Sequence, residues 1–202
     1  MSLLFAIFLL AFGNVEVTYG SLILPYCVRH LKMTEKMGNR VAFSYWLSMA
    51  ASRLTLVFVG GKVVPERLLT ASVVVATASM AAATVLAGYP TAGSWSAWPC
   101  SVLLGLGGAT VFPGSIALAA VYVGGASSRL LALLVSTWTT GCVVGPMVAG
   151  LLFQRFGPVW VVRYALAASA FSAIMFLVIR RTHARLTVER LRHAIYHRRS
   201  GI

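Results

Sequence analysis

Six long apolar segments, separated by short polar stretches, are the feature that most constrains how this chain folds. They span approximately residues 2–25, 40–60, 68–87, 98–123, 130–153 and 159–179. A helix needs about 20 predominantly apolar residues to cross a bilayer, and each segment is close to that length. Glycine and proline interrupt the runs, as at Gly60, Gly61 and Pro65. The sequence therefore predicts an all-α membrane domain of six transmembrane helices over residues 1–181, followed by a basic tail over residues 182–202.

Composition and charge narrow the class of protein further. Hydrophobic residues make up 59% of the chain and charged residues 10%, with a mean hydropathy of +0.85, as in polytopic membrane proteins. The formal net charge of +13 does not indicate nucleic-acid binding, because seven arginines follow the last apolar segment, as in a tail facing anionic lipid. These are Arg180, Arg181, Arg185, Arg190, Arg192, Arg198 and Arg199. Cys27, Cys100 and Cys142 are far apart, which favours buried thiols over disulfides or a zinc site.

The distribution of lysine and arginine predicts the orientation of the helices. With the N-terminus inside, eleven basic residues lie on the cytoplasmic side and six outside, which favours cytoplasmic termini. The first loop, with its three basic residues, opposes this bias. In the tail, Val188, Leu191 and Ile195 recur at helical spacing among arginines. This pattern predicts either an amphipathic helix on the membrane surface or a solvated, partly disordered end.

The first segment carries a polar cluster near its middle. Gly13, Glu16, Tyr19 and Gly20 share one side of a helical wheel, and Asn14 lies on another. A charge at the depth of Glu16 costs roughly 2.5 to 17 kcal/mol, so such residues normally face protein or a wet cavity. The segment is therefore predicted to pack among other helices. A cleaved signal peptide is the alternative, although no positively charged stretch precedes the apolar run.

The second segment places Trp46, Met49 and Arg53 on one face. At this spacing, Trp46 and Met49 are predicted either to pack in the core, to contact lipid, or to line a cavity. Arg53 still lies within the apolar run. It is predicted to pair with a carboxylate or carbonyl, to extend to the cytoplasmic interface, or to contact a solute.

Glycine, proline and hydroxyl side chains are concentrated in the fourth and fifth segments. In the fourth, the glycines and Pro113 predict close helix contact and a bend. In the fifth, Gly141 and Gly145 form a small-x-x-x-small pair that allows two backbones to approach closely. Its hydroxyl cluster, which includes Thr139, either binds a polar solute or bonds to its own helix carbonyls. The third and sixth segments, poor in functional groups, are predicted to face lipid.

The candidate residues form two groups. Those predicted to contact a solute or a coupling ion are Asn14, Glu16, Tyr19, Trp46, Arg53, Thr110, Trp138 and Thr139. Those predicted to bend helices or to allow close packing are Gly13, Gly20, Gly107, Gly108, Pro113, Gly141, Gly145 and Pro146. Catalysis is not indicated, because all four histidines lie outside the apolar segments and the chain has no aspartate.

Several of these motifs together resemble a known family. The G-L-G-G-A-T-V-F-P-G run from Gly105 and the G-x-x-x-G-P-M-V-A-G-L-L-F-Q-R-F-G run from Gly141 are similar to the C-terminal half of a major facilitator superfamily transporter. The resemblance extends to about Arg181. N-V-E-V-T-Y-G from Asn14, followed by Y-W-L-S-M-A-A-S-R-L from Tyr45, resembles the sodium-dependent glucose transporter-like and fucose permease-like branch. The loop over residues 60–67 lacks the aspartate of the family's cytoplasmic signature.

The resemblance implies a half of a secondary transporter that moves a sugar or other small polar solute by alternating access. Glu16 would then be a coupling carboxylate or a hydroxyl acceptor, with Asn14, Tyr19 and Trp46 lining the cavity. No cofactor is implied beyond a coupling Na⁺ or H⁺. A complete transporter of this kind has two six-helix halves, so the implied partners are lipid, the solute, and an N-terminal half or a second copy. A non-transporting membrane scaffold or a degenerate fragment is the alternative.

Overall fold

The computed structural model describes residues 1–59 and 62–200, with the side chains of residues 59, 90–93 and 189–200 left out. Its regular elements are six α-helices, each long and apolar enough to cross a membrane. They are α1 (Ser2–Arg29), α2 (Glu35–Val59), α3 (Pro65–Leu86), α4 (Pro90–Val123), α5 (Ser128–Phe156) and α6 (Trp160–Ser200). The predicted all-α fold class of six transmembrane helices is confirmed.

Local chemistry explains where several helices begin and end. The hydroxyl of Thr34 accepts a hydrogen bond from the Met37 amide at 3.3 Å, which makes Thr34 the cap of α2. Ser127 caps α5 in the same way, since it accepts from the Leu130 amide at 3.2 Å. At the end of α4, Gly124 adopts a left-handed conformation with φ +84°, which side chains rarely tolerate.

All six helices extend beyond their predicted bounds at one end or both, and four of them do so by four residues or more. Helix α1 continues four residues past Pro25, because a transmembrane helix tolerates proline where neighbours satisfy the freed carbonyl. Helix α2 begins five residues earlier than predicted, at its threonine cap, and α4 begins at Pro90, a residue suited to the first helical turn. Helix α6 continues to Ser200, about 60 Å at 1.5 Å per residue, twice the thickness of the hydrocarbon core. Apart from the exposed Val188, the predicted apolar stripe of the tail lies outside the described side chains.

The six helices pack as two interlocked sets of three. Helices α1 and α4 lie centrally: α1 packs mainly against α5 and α6, and α4 packs mainly against α2 and α3. Suppose that α1, α2 and α3 are exchanged with α4, α5 and α6, respectively. The contact between α1 and α5 then becomes the contact between α4 and α2, and the contact between α1 and α6 becomes the contact between α4 and α3. This pattern is that of the inverted repeats on which many transporter folds are built.

Helix α1 is buried on nearly every side. Phe5, Phe8, Phe12 and Tyr19 all lie within the core, and the Phe8 ring packs against Phe176 of α6 with centroids 5.8 Å apart. The prediction that this polar helix packs among other helices is therefore confirmed. In contrast, α2 and α5 expose many large apolar side chains, such as Phe43, Leu47, Val143 and Met147.

Glycines allow α1 and α5 to cross at close range. A Cβ atom on Gly13 would lie 2.5 Å from the Trp138 carbonyl oxygen, and one on Gly145 would lie 2.8 Å from the Asn14 Cα. A Cβ on Gly141 would collide with the Leu10 carbonyl. The small-x-x-x-small pair of α5 thus brings two backbones into direct contact, as predicted.

The other candidate glycines and prolines have different surroundings. On α4, a Cβ at Gly107 would lie 2.9 Å from the Ser72 carbonyl oxygen of α3, whereas at Gly108 the nearest atom would be 3.7 Å away. Gly108 is therefore not a close-packing position. A Cβ at Gly20 would strike the Trp46 ring. Helices α4 and α5 run as continuous α-helix through Pro113 and Pro146 respectively.

Tyr19 provides a measurable tertiary contact in this core. Its hydroxyl bonds to the Ser101 hydroxyl of α4 at 2.8 Å, and both side chains are buried. Tyr19→Phe is expected to lower the free energy of unfolding by about 0.5–1.5 kcal/mol, the usual worth of one such bond. Tyr89→Phe, at an exposed loop position, serves as the control. Thermal unfolding in detergent measures both variants, and equal stability of the two would show that the hydroxyl pair contributes nothing.

Candidate functional site

A partly buried ion pair joins α1 to α2 near the middle of α1. Glu16 is only 4% exposed, and its Oε1 accepts a hydrogen bond from Arg53 Nη2 at 2.9 Å. The Arg53 side chain is 48% exposed, so it reaches from the surface of α2 to the carboxylate. Of the alternatives that the sequence left open for Arg53, the structure shows pairing with a carboxylate.

Aromatic residues of α2 hold this pair in position. The Tyr45 hydroxyl donates a hydrogen bond to the Glu16 backbone carbonyl at 2.9 Å, and Tyr45 is buried. Its ring packs against Tyr19 on one side and Trp46 on the other, with centroids 5.3 and 5.0 Å apart. Trp46 also packs over Gly20 of α1. The contacts between α1 and α2 therefore extend from Glu16 to Gly20, over more than one helical turn.

One oxygen of Glu16 is left free beside a tryptophan. The Trp138 indole of α5 lies within interaction range of the Glu16 carboxylate. By strict hydrogen-bond geometry, neither Glu16 Oε2 nor Trp138 Nε1 has a partner among the described residues, although both atoms are buried and the indole N–H is a donor that faces the carboxylate. Trp138 packs against Phe112 of α4, with ring centroids 4.6 Å apart. A buried acceptor and a buried donor therefore lie close together, with the Phe112 ring of α4 packed against the donor's indole.

A second polar group faces the opposite side of α1. Asn14 Oδ1 accepts a hydrogen bond from the Tyr164 hydroxyl of α6 at 2.9 Å, while its amide donates to the Leu10 carbonyl. Thr18 is fully buried one turn further along, and its hydroxyl has no partner in the described part of the chain. The bond between Asn14 and Tyr164 therefore fastens α1 to α6, away from the ion pair.

The structure brings some of the predicted residues together and separates others. The side chains of Glu16, Arg53 and Trp138 lie together at one site. Trp46 is separated from this site by Tyr45, against whose ring it packs. Three other candidates point elsewhere. Tyr19 lies in the core, Thr110 bonds to Ser72 on the α3 side, and the Thr139 hydroxyl donates to the Val135 carbonyl of its own helix.

Sequence reasoning missed Tyr45, Phe112 and Tyr164 as parts of these polar groups. Tyr45 precedes Trp46 in an apolar helix, where an aromatic residue is equally compatible with core or lipid contact. Tyr164 lies 150 positions from Asn14, so no local pattern could connect the two.

Six helices in two interlocked sets, each long and apolar enough to cross a membrane, define an integral multi-pass membrane protein. The sequence matches the Major Facilitator Superfamily over residues 3–196, nearly its whole length. The chain belongs to that family, whose members are transporters, and its six helices correspond to one half of the family fold. No curated protein matches the sequence.

Proposed function

We propose that the chain is the C-terminal half of a secondary active transporter that moves a sugar or other small polar solute by alternating access. The observation that carries this proposal is the unpaired Glu16 Oε2 beside the unpaired Trp138 Nε1. Because the motifs around Glu16 and Arg53 resemble those of the sodium-dependent glucose transporter-like and fucose permease-like branch, we include membership of that branch in the proposal.

The donor and acceptor suit a solute that carries hydroxyl groups. A solute hydroxyl donates to Glu16 Oε2, and a neighbouring solute oxygen accepts from Trp138 Nε1. The rings of Phe112 and Trp138 supply the apolar wall that small-molecule sites combine with a few convergent polar groups. Asn14, Tyr19 and Thr110 are excluded from this contact set, because each is committed to a bond inside the half.

The ion pair also offers a means of coupling. A proton or Na⁺ that binds Glu16 competes with Arg53 for the carboxylate. The Glu16–Arg53 ion pair is one of the contacts that join α1 to the exposed helix α2. Cation binding therefore weakens the Glu16–Arg53 contact between the central helix α1 and the peripheral helix α2. Transporters of this kind alternate access by rocking such elements around a midplane site.

A counterpart completes the transporter in this proposal. The exposed apolar faces of α2 and α5 pack against an N-terminal six-helix half or a second copy, with both termini in the cytoplasm. Leu47→Cys in α2 and Val143→Cys in α5, both exposed, report on this contact by disulfide cross-linking in membranes. Cross-links between differently tagged copies indicate a second copy, and cross-links to another polypeptide indicate an N-terminal half. The absence of both contradicts a two-half transporter.

Glu16→Gln is expected to abolish gradient-driven accumulation, because an amide carries no charge for the coupling ion to neutralise. The assembled protein in proteoliposomes is offered labelled monosaccharides, polyols and other small polar solutes under an imposed Na⁺ or pH gradient. Glu35→Gln, at an exposed carboxylate in the first turn of α2, is the matched control and should accumulate solute normally. Undiminished ion-driven uptake by Glu16→Gln rejects the coupling role. An assembled protein that carries none of the solutes favours the non-transporting scaffold.

A further inference from the structure

A basic cleft lies where α3 begins, at the end of the bundle from which α6 extends. The cleft has a volume of about 450 Å³ and is lined by Arg67 and Arg180 together with Val64, Glu66, Thr70 and Ala71. A neighbouring cleft of about 410 Å³ adds Arg181 and His183 on the other side of Glu66 and Arg180. Three arginines and one glutamate leave this surface with an excess of positive charge.

The arginines of this surface carry N–H donors that are not bonded to any of the described residues. Arg180 donates to Glu66 Oε1 through Nε at 2.8 Å, and its two terminal nitrogens form no hydrogen bond within the described part of the chain. Arg67 is exposed and forms no ion pair within the described part of the chain. Guanidinium groups of this kind bind phosphate oxygens in a bidentate manner.

An apolar groove begins at the same place. Helices α2 and α3 hardly touch over their described residues, and α4 forms the floor of a groove of about 460 Å³ between them. The groove is lined mainly by alanine, valine and leucine side chains, including Leu56, Leu68, Val75 and Leu106. Ala71 lines both the groove and the basic cleft, so the two are continuous around α3.

We propose that this combined surface binds an anionic phospholipid, with its phosphate on Arg67 and Arg180 and one acyl chain in the groove between α2 and α3. The charge favours an anionic headgroup, since basic pockets between helices at a membrane interface attract such lipids. The groove favours a lipid over a free phosphate ester, because only a lipid has a chain to fill it. The site is separate from Glu16 and does not depend on transport.

Retention of lipid by the purified chain tests the charged part of the site. Native mass spectrometry after exchange into phosphatidylglycerol should show bound lipid, and phosphatidylcholine should be retained less. Arg67→Gln is expected to lower phosphatidylglycerol retention about fivefold, the contribution of one basic residue near a membrane surface. Arg155→Gln removes an exposed arginine at the opposite end of the bundle and should retain the lipid. Equal retention of both lipids, or an equal loss in both variants, overturns the proposal.

Filling the groove tests the acyl-chain part. Ala71→Phe is expected to lower phosphatidylglycerol retention, whereas Ala132→Phe, at an exposed position of α5 away from the groove, should not. In parallel, thermal unfolding with phosphatidylglycerol or with glycerol phosphate distinguishes lipid from free phosphate. Protection by phosphatidylglycerol alone supports the site. Equal protection by glycerol phosphate, or full lipid retention by Ala71→Phe, contradicts it.

Discussion

Arg53→Leu is expected to destabilise the bundle far more than Glu16→Gln, although both variants break the same ion pair. The two variants are expected to differ in stability because Glu16 is buried, at 4% exposure, whereas Arg53 is 48% exposed. Without Arg53, the carboxylate is left as a charge inside the bundle. Without the carboxylate charge, Arg53 extends its flexible side chain toward a polar environment.

The expected sizes differ accordingly. Removing one partner of a fully buried pair costs about 3–5 kcal/mol, and we expect about 2–3 kcal/mol for Arg53→Leu because the pair is partly open. Glu16→Gln should cost less than about 1 kcal/mol, as for pairs with an exposed partner. The double variant should recover most of the loss, because it removes the unpaired charge.

Unfolding of the four proteins in the same detergent, by heat or denaturant, gives the coupling free energy of the pair. Arg155→Leu, which removes an exposed arginine that forms no ion pair among the described residues, controls for the general effect of this substitution. Equal losses for Arg53→Leu and Glu16→Gln, or no recovery in the double variant, would show that the pair does not stabilise α1 against α2.

Gly141→Ala is expected to destabilise the crossing of α1 and α5, even though alanine is the better helix former. The added Cβ would collide with the Leu10 carbonyl oxygen and lie 3.2 Å from the Asn14 amide nitrogen. Both obstacles are backbone atoms, so the two helices must separate. Overpacking of this kind costs about 1–3 kcal/mol, which outweighs the gain of about 1 kcal/mol in helix propensity.

Gly150→Ala is the matched control on the same helix. No heavy atom lies within 4 Å of a Cβ at Gly150 among the described residues, so the propensity gain should leave this variant as stable as the parent or more stable. Thermal unfolding of the two variants in one detergent measures the difference. If both behave alike, the close approach of α1 and α5 seen here is not the packing that the protein adopts.

The membrane fold was predictable because its main signals are local. In lipid, backbone polar groups must be satisfied within each helix, so a long apolar run predicts a helix whatever its neighbours are. Thr34 as the cap of α2, and Gly141 with Gly145 as a packing pair, were predictable for the same reason, since each depends on residues a few positions apart. The outer bounds of α4 and α6 were not, because polar residues can continue a helix beyond the apolar core.

The candidate site was only partly predictable. The cost of burying a carboxylate identified Glu16 from the sequence alone, and an arginine within an apolar run identified Arg53. Their pairing with each other was not predictable, and neither was the location of Trp138 beside them. Tyr19 shared a helical-wheel face with Glu16, yet the structure places its hydroxyl on Ser101 in the core.

The sequence by itself determined that six helices span the membrane and that one of them buries an acidic residue. Only the tertiary structure decided which helices lie on either side of that residue, leaving one carboxylate oxygen beside an indole N–H and Asn14 on the opposite side. The physical reason is that α1 is buried nearly all round, so its apolar pattern has no preferred face. Its rotation is set instead by where glycines on α5 and aromatic rings on α2 allow contact.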